Sequence, residues 1–74
     1  MTGQELVKFW ELYPEVRELY EQYNDILVED DQAWKELTGR AEELIRQSKT
    51  DLKTTVILET VRQLESLAKR RKAS

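Results

Sequence analysis

The 74-residue chain contains no cysteine and no histidine. The absence of cysteine excludes disulfides and thiol chemistry. The absence of histidine removes the commonest zinc ligand and the side chain most often used for proton transfer near neutral pH. No apolar run approaches the roughly 20 residues that span a bilayer, and the N-terminus lacks the basic and apolar stretches of a signal peptide. We therefore expect a cytoplasmic protein with no membrane partner.

A catalytic constellation is also missing. Ser and Thr fall mainly at predicted helix ends, where Thr2, Ser48 and Thr50 are expected to cap free amides. Glu15, Glu18 and Glu21 adjoin at helical spacing, but they lie beside or outside the apolar face, where solvent keeps carboxylates ionised. We therefore predict a protein that is not an enzyme, with no catalytic residue, no cofactor, no metal site and no small-molecule substrate.

The residues that are present are unevenly distributed. All six aromatic side chains lie within the first 34 positions. Residues 1–36 carry ten acidic and three basic side chains, a net charge of −7, whereas residues 37–74 carry five and nine, a net of +4. The acidic and basic parts either meet within one fold or are offered to different partners, and the sequence leaves both possibilities open.

Only one proline and two glycines interrupt a chain that is 39% hydrophobic and 36% charged, which is typical of a globular helical protein. Apolar spacings of three and four predict a short helix at about 3–12 and a longer one at about 14–28, with a kink or break at Pro14. An amphipathic helix follows Glu29-Asp30-Asp31. Ser48-Lys49-Thr50-Asp51, which fits the capping-box pattern, precedes a last helix at about 50–70.

These elements predict an all-α fold within one domain covering residues 1–74. The expected architecture is a small antiparallel three-helix bundle whose first helix is kinked or broken at Pro14, giving a short N-terminal helix plus three longer helices. We expect residues 69–74 to form a basic, frayed C-terminal tail.

The last helix has an apolar face about 200° wide, more than one neighbouring helix normally covers. Either the short N-terminal helix or a second copy of the protein is expected to cover the remainder. A chain this small is often supported by oligomerisation. We therefore predict a protein–protein interaction module that forms a homodimer or docks on a larger protein. The predicted partner-binding residues are Val7, Trp10, Val56, Leu58, Val61 and Leu67.

The charge run Lys69-Arg70-Arg71-Lys72 supports an alternative. Four cations complement the negative end of a helix, and they could also contact phosphates. The alternative function is a small nucleic-acid-associated regulator that binds through these four residues. Against it, the sequence pI is about 5.0, where nucleic-acid-binding domains often exceed about 9.

Overall fold

The computed structural model describes residues 2–73 and is all-α. Four helices occur in this part of the chain, which contains no strand: α1 (Gly3–Leu12), α2 (Pro14–Tyr23), α3 (Asp31–Gln47) and α4 (Asp51–Ala73). None of these helices is both long and apolar enough to cross a membrane. The four helices confirm the predicted all-α class.

The helical conformation is interrupted at Tyr13, the residue before Pro14. Tyr13 has φ −125° and ψ 77°, outside the helical region, and Pro14 begins α2. Proline disfavours helical geometry in the preceding residue, and its missing N–H costs little in a first turn. At the start of α1, the Thr2 hydroxyl accepts a hydrogen bond from the Glu5 amide, as predicted. The short helix at 3–12 and the break at Pro14 are thus confirmed.

The second helix is shorter than predicted, ending at Tyr23 instead of about residue 28. The connection that follows is held by side chains from α3 and α4. Arg71 donates hydrogen bonds to the carbonyls of Asn24 and Ile26, and the Trp34 indole N–H donates to the Leu27 carbonyl at 2.9 Å. These contacts satisfy backbone carbonyls that would otherwise need helical partners.

Side-chain caps begin the last two helices. The Asp30 carboxylate accepts from the Ala33 amide at 3.1 Å, as the acidic triplet predicted. For α4 the cap is Thr50, whose hydroxyl accepts from the Lys53 amide at 3.2 Å. The capping box beginning at Ser48 is wrong, because the Ser48 hydroxyl donates to the Thr50 carbonyl instead.

The helix α4 continues to Ala73, so residues 69–73 form its last turns where we expected a frayed tail. Residue 74 of that predicted tail lies outside the described residues. Helices α2, α3 and α4 pack against one another, and α1 packs on both α2 and α4. The buried core includes Leu6, Val16, Leu37, Val56, Ile57 and Leu64.

Candidate interaction surface

The short helix α1 is anchored on α4 by a hydrogen bond between side chains. The Trp10 indole N–H donates to the Thr60 hydroxyl at 2.9 Å, and that hydroxyl donates to the Val56 carbonyl at 2.8 Å. Thr60 is fully buried. Of the two coverings that the sequence left open for the wide face of α4, its own N-terminal helix therefore occupies at least part of it.

Thr60 is not among the partner-binding residues predicted from the sequence. The sequence does indicate that Thr60 is buried, because this residue lies four positions from both Val56 and Leu64 in an otherwise apolar stripe. A hydroxyl at such a position needs a hydrogen-bond partner when it is buried. The Thr60 hydroxyl donates to the Val56 carbonyl within α4, and it accepts from the Trp10 indole, fifty residues earlier.

The predicted partner-binding residues of α4 separate into three groups. Val56 is completely buried in the core of its own chain, which makes its assignment to a partner surface wrong. Val61 and Leu67 are half-buried, whereas Leu58 is 52% exposed. The apolar face of α4 is therefore largely used within the chain, and Leu58 lies at its edge.

A groove between α1 and α2 brings aromatic and charged side chains together. Val7, Trp10 and Tyr20 supply its apolar lining, and the centroids of the Trp10 and Tyr20 rings are 4.5 Å apart. Val7 is 50% exposed, and both rings are half-buried. We call this feature the aromatic groove; its charged lining residues are Glu11, Arg17 and Glu21.

The charged edge of the aromatic groove is net negative. Arg17 donates to the Glu21 carboxylate at 2.9 Å, in an exposed pair one helical turn apart. Glu11 has no ion-pair partner among residues 2–73. Arg17 therefore balances one carboxylate of the groove and leaves the other without a counterion.

A cation, an aromatic ring and a carboxylate meet where α2 and α4 begin. The Lys53 ammonium lies 2.5 Å from the Glu15 carboxylate and 5.7 Å from the centroid of the Tyr13 ring. The hydrogen bond from Lys53 is the main cause that lowers the pKa of Glu15, and a backbone hydrogen bond adds to it. This cluster joins two helices, and its carboxylate is held in the ionised form.

The four cations of the predicted nucleic-acid site do not act as one group. Arg71 turns back onto the carbonyls of Asn24 and Ile26, so it has a structural role. Lys69, Arg70 and Lys72 are exposed, and none of the ion pairs among the described residues includes them. We call these three residues the basic end of α4.

Comparison with protein-family models, with curated proteins and with solved structures gave no match to this chain. Its function is therefore argued from the surface features described above.

Proposed function

We propose that the protein is a non-enzymatic helical interaction module that associates with copies of itself. The observation that carries this proposal is the aromatic groove, where Val7, Trp10 and Tyr20 combine apolar surface with exposure to solvent. Tryptophan and tyrosine are enriched among the residues that dominate binding energies at protein interfaces. A negative edge beside such rings adds selectivity for a cationic partner.

The hydrogen bonding of buried polar groups supports an interaction role over catalysis. Among the described residues, every buried side-chain polar atom has a hydrogen-bond partner. The pKa of Glu15 is lowered, and its hydrogen bond from Lys53 is the main cause of the shift. Perturbed titrating groups without such a structural explanation are what point to catalytic sites.

We also propose that α2, α3 and α4 form an antiparallel three-helix bundle, with α1 packed beside it. The pair Glu15–Lys53 joins the beginnings of α2 and α4, and Arg71 near the end of α4 contacts Asn24 just after α2. Both contacts favour a common direction for α2 and α4. The short connections on either side of α3 favour the opposite direction for that helix.

Sedimentation equilibrium tests self-association and locates its surface. We expect the mean mass to rise above 8.8 kDa as concentration increases from about 10 µM to about 1 mM. Val7→Glu, in the aromatic groove, should weaken association, whereas Leu58→Glu is the matched control with nearly equal exposure on α4. If Leu58→Glu alone weakened association, the interface would lie on α4. A monomeric mass at every concentration would contradict the proposal.

A nucleic-acid-associated regulator is a second candidate, favoured by the basic end of α4. Lys69, Arg70 and Lys72 are exposed and free to contact phosphates. Such binding weakens steeply with salt because counterions are released from the nucleic acid. A titration of duplex DNA and single-stranded RNA at about 50 mM salt tests this candidate, and no binding at that salt concentration would eliminate it.

A further inference from the structure

We propose that the aromatic groove of one copy binds the basic end of α4 from a second copy, in a head-to-tail arrangement. The inference rests on the proposed self-association and names the two surfaces that carry it. The groove provides Trp10, Tyr20 and Glu11, and the basic end provides Lys69, Arg70 and Lys72.

The groove has the chemistry that recognises ammonium and guanidinium groups. Such cations are attracted to the faces of tryptophan and tyrosine rings, and they form charge-assisted hydrogen bonds with carboxylates. The chain already uses this combination internally, because Lys53 contacts both the Tyr13 ring and the Glu15 carboxylate. In the aromatic groove the rings and Glu11 are present, but no cation from the described part of the chain lies over either ring.

The basic end of α4 cannot easily serve the groove of its own chain. Arg71 holds this end against the connection between α2 and α3, where Lys69 lies beside Val28 and Trp34. None of the residues that line the aromatic groove comes from α4. Within the groove Arg17 is paired with Glu21, so a cation from an α4 end that contacts Glu11 and the two rings would come from another molecule.

The shape of the molecule makes the basic end available to that second molecule. The 23 residues of α4 span about 34 Å at a rise of 1.5 Å per residue, nearly the full 36 Å length of the protein. Its last turns therefore lie at an extremity. The net charges of −7 for residues 1–36 and +4 for residues 37–74 favour the approach of such an end to the acidic part of a neighbour.

A contact between two different surfaces has a distinctive consequence. A head-to-tail pair keeps one free groove and one free basic end, so the assembly continues to grow unless it closes into a ring. An exposed ion pair changes an association constant by only about two- to fivefold, so the contact should be weak and sensitive to salt. Replacing all three cations is expected to reduce association about tenfold or more.

Two complementary variants test this arrangement. The groove variant carries Val7→Lys and Glu11→Lys, and the end variant carries Lys69→Gln, Arg70→Gln and Lys72→Gln, with Arg71 retained for the fold. Circular dichroism would first establish that both are folded. Each variant alone is expected to be monomeric at concentrations where the wild type associates.

Mixing the two variants gives the decisive result. The groove variant retains a basic end and the end variant retains a groove, so together they should form a 1:1 complex of about twice 8.8 kDa that grows no further. Sedimentation velocity would measure this mass. A control with Lys35→Gln, Lys49→Gln and Arg62→Gln has the same charge change elsewhere and should associate like the wild type.

The outcomes separate this inference from the proposed function. If the wild type associates but the mixture stays monomeric, the head-to-tail contact is wrong and self-association uses another surface. If the wild type is monomeric throughout, both proposals fail. If the end variant loses only DNA or RNA binding and associates normally, the basic end serves nucleic acid and the inference is overturned.

Discussion

Replacing Thr60 with valine tests the anchor between α1 and α4. Valine has nearly the same shape as threonine but lacks the hydroxyl that accepts from the Trp10 indole and donates to the Val56 carbonyl. The substitution leaves the indole N–H without its acceptor at a half-buried position. Since an unpaired buried donor is costly, Thr60→Val should destabilise the fold although it makes the core more apolar.

The expected loss is about 1 kcal/mol in the free energy of unfolding. A hydrogen bond of this type contributes about 0.5–1.5 kcal/mol net. Because Trp10 is partly exposed, water replaces part of the lost hydrogen bond. Burial of the added valine methyl group offsets a further part of the lost stability. For a domain of this size, 1 kcal/mol corresponds to a fall of about 4–8 °C in Tm.

A double-mutant cycle isolates the bond. Urea unfolding followed by circular dichroism would be measured for Thr60→Val, Trp10→Phe and the double variant. The two substitutions should be non-additive by about 1 kcal/mol, because each removes one half of the same contact. Thr60→Ser, which keeps the hydroxyl, should retain the coupling to Trp10. Additivity within about 0.3 kcal/mol would refute the role of this bond in holding α1 on α4.

Three further predictions concern the helices and their ion pair. Gly39→Ala should raise the free energy of unfolding by about 0.5–1 kcal/mol, because Gly39 lies inside α3 and the space that an alanine methyl group would occupy is open. Thr50→Ala should lower it by about 1 kcal/mol, and more than Ser48→Ala, because Thr50 caps α4. Glu15→Gln should lower the free energy of unfolding by under about 1 kcal/mol at pH 7, because it removes the ion pair with Lys53. The pKa of Glu15 is lowered by Lys53, so this contribution is full above the ordinary glutamate value of about 4.3 and is lost as pH falls through the lowered folded pKa. Chemical unfolding at pH 7 checks all three, and the Glu15→Gln difference should shrink as the pH is lowered below about 4.3.

Local chemistry accounts for the features that were predicted correctly. Pro14 restricts the residue before it, and Thr2 and Asp30 offer oxygens to nearby amides, so these effects act within four residues. The all-α class follows from apolar spacings that repeat along the chain. Such features need no knowledge of distant partners.

The features that were missed depend on contacts distant in sequence. The periodic pattern continues past Tyr23, but Arg71, 47 residues beyond Asn24, binds the carbonyls of the connection and the helix ends early. Likewise, a wide apolar face on α4 has the same pattern whether α1 or another chain covers it. Burial of Val56 and the bond from Trp10 to Thr60 show that α1 covers at least part of this face, and they are visible only in three dimensions.

Paramagnetic relaxation enhancement between copies tests the head-to-tail account most directly. The chain lacks cysteine, so Ser74→Cys gives one site for a nitroxide spin label, two positions after Lys72 in the sequence. The labelled copy would be mixed with an unlabelled, ¹⁵N-enriched copy at low salt. The account predicts broadening of the Trp10 indole signal and of the Val7 and Tyr20 amide signals. Broadening centred on Leu58, or no broadening at concentrations where the mass rises, would contradict it.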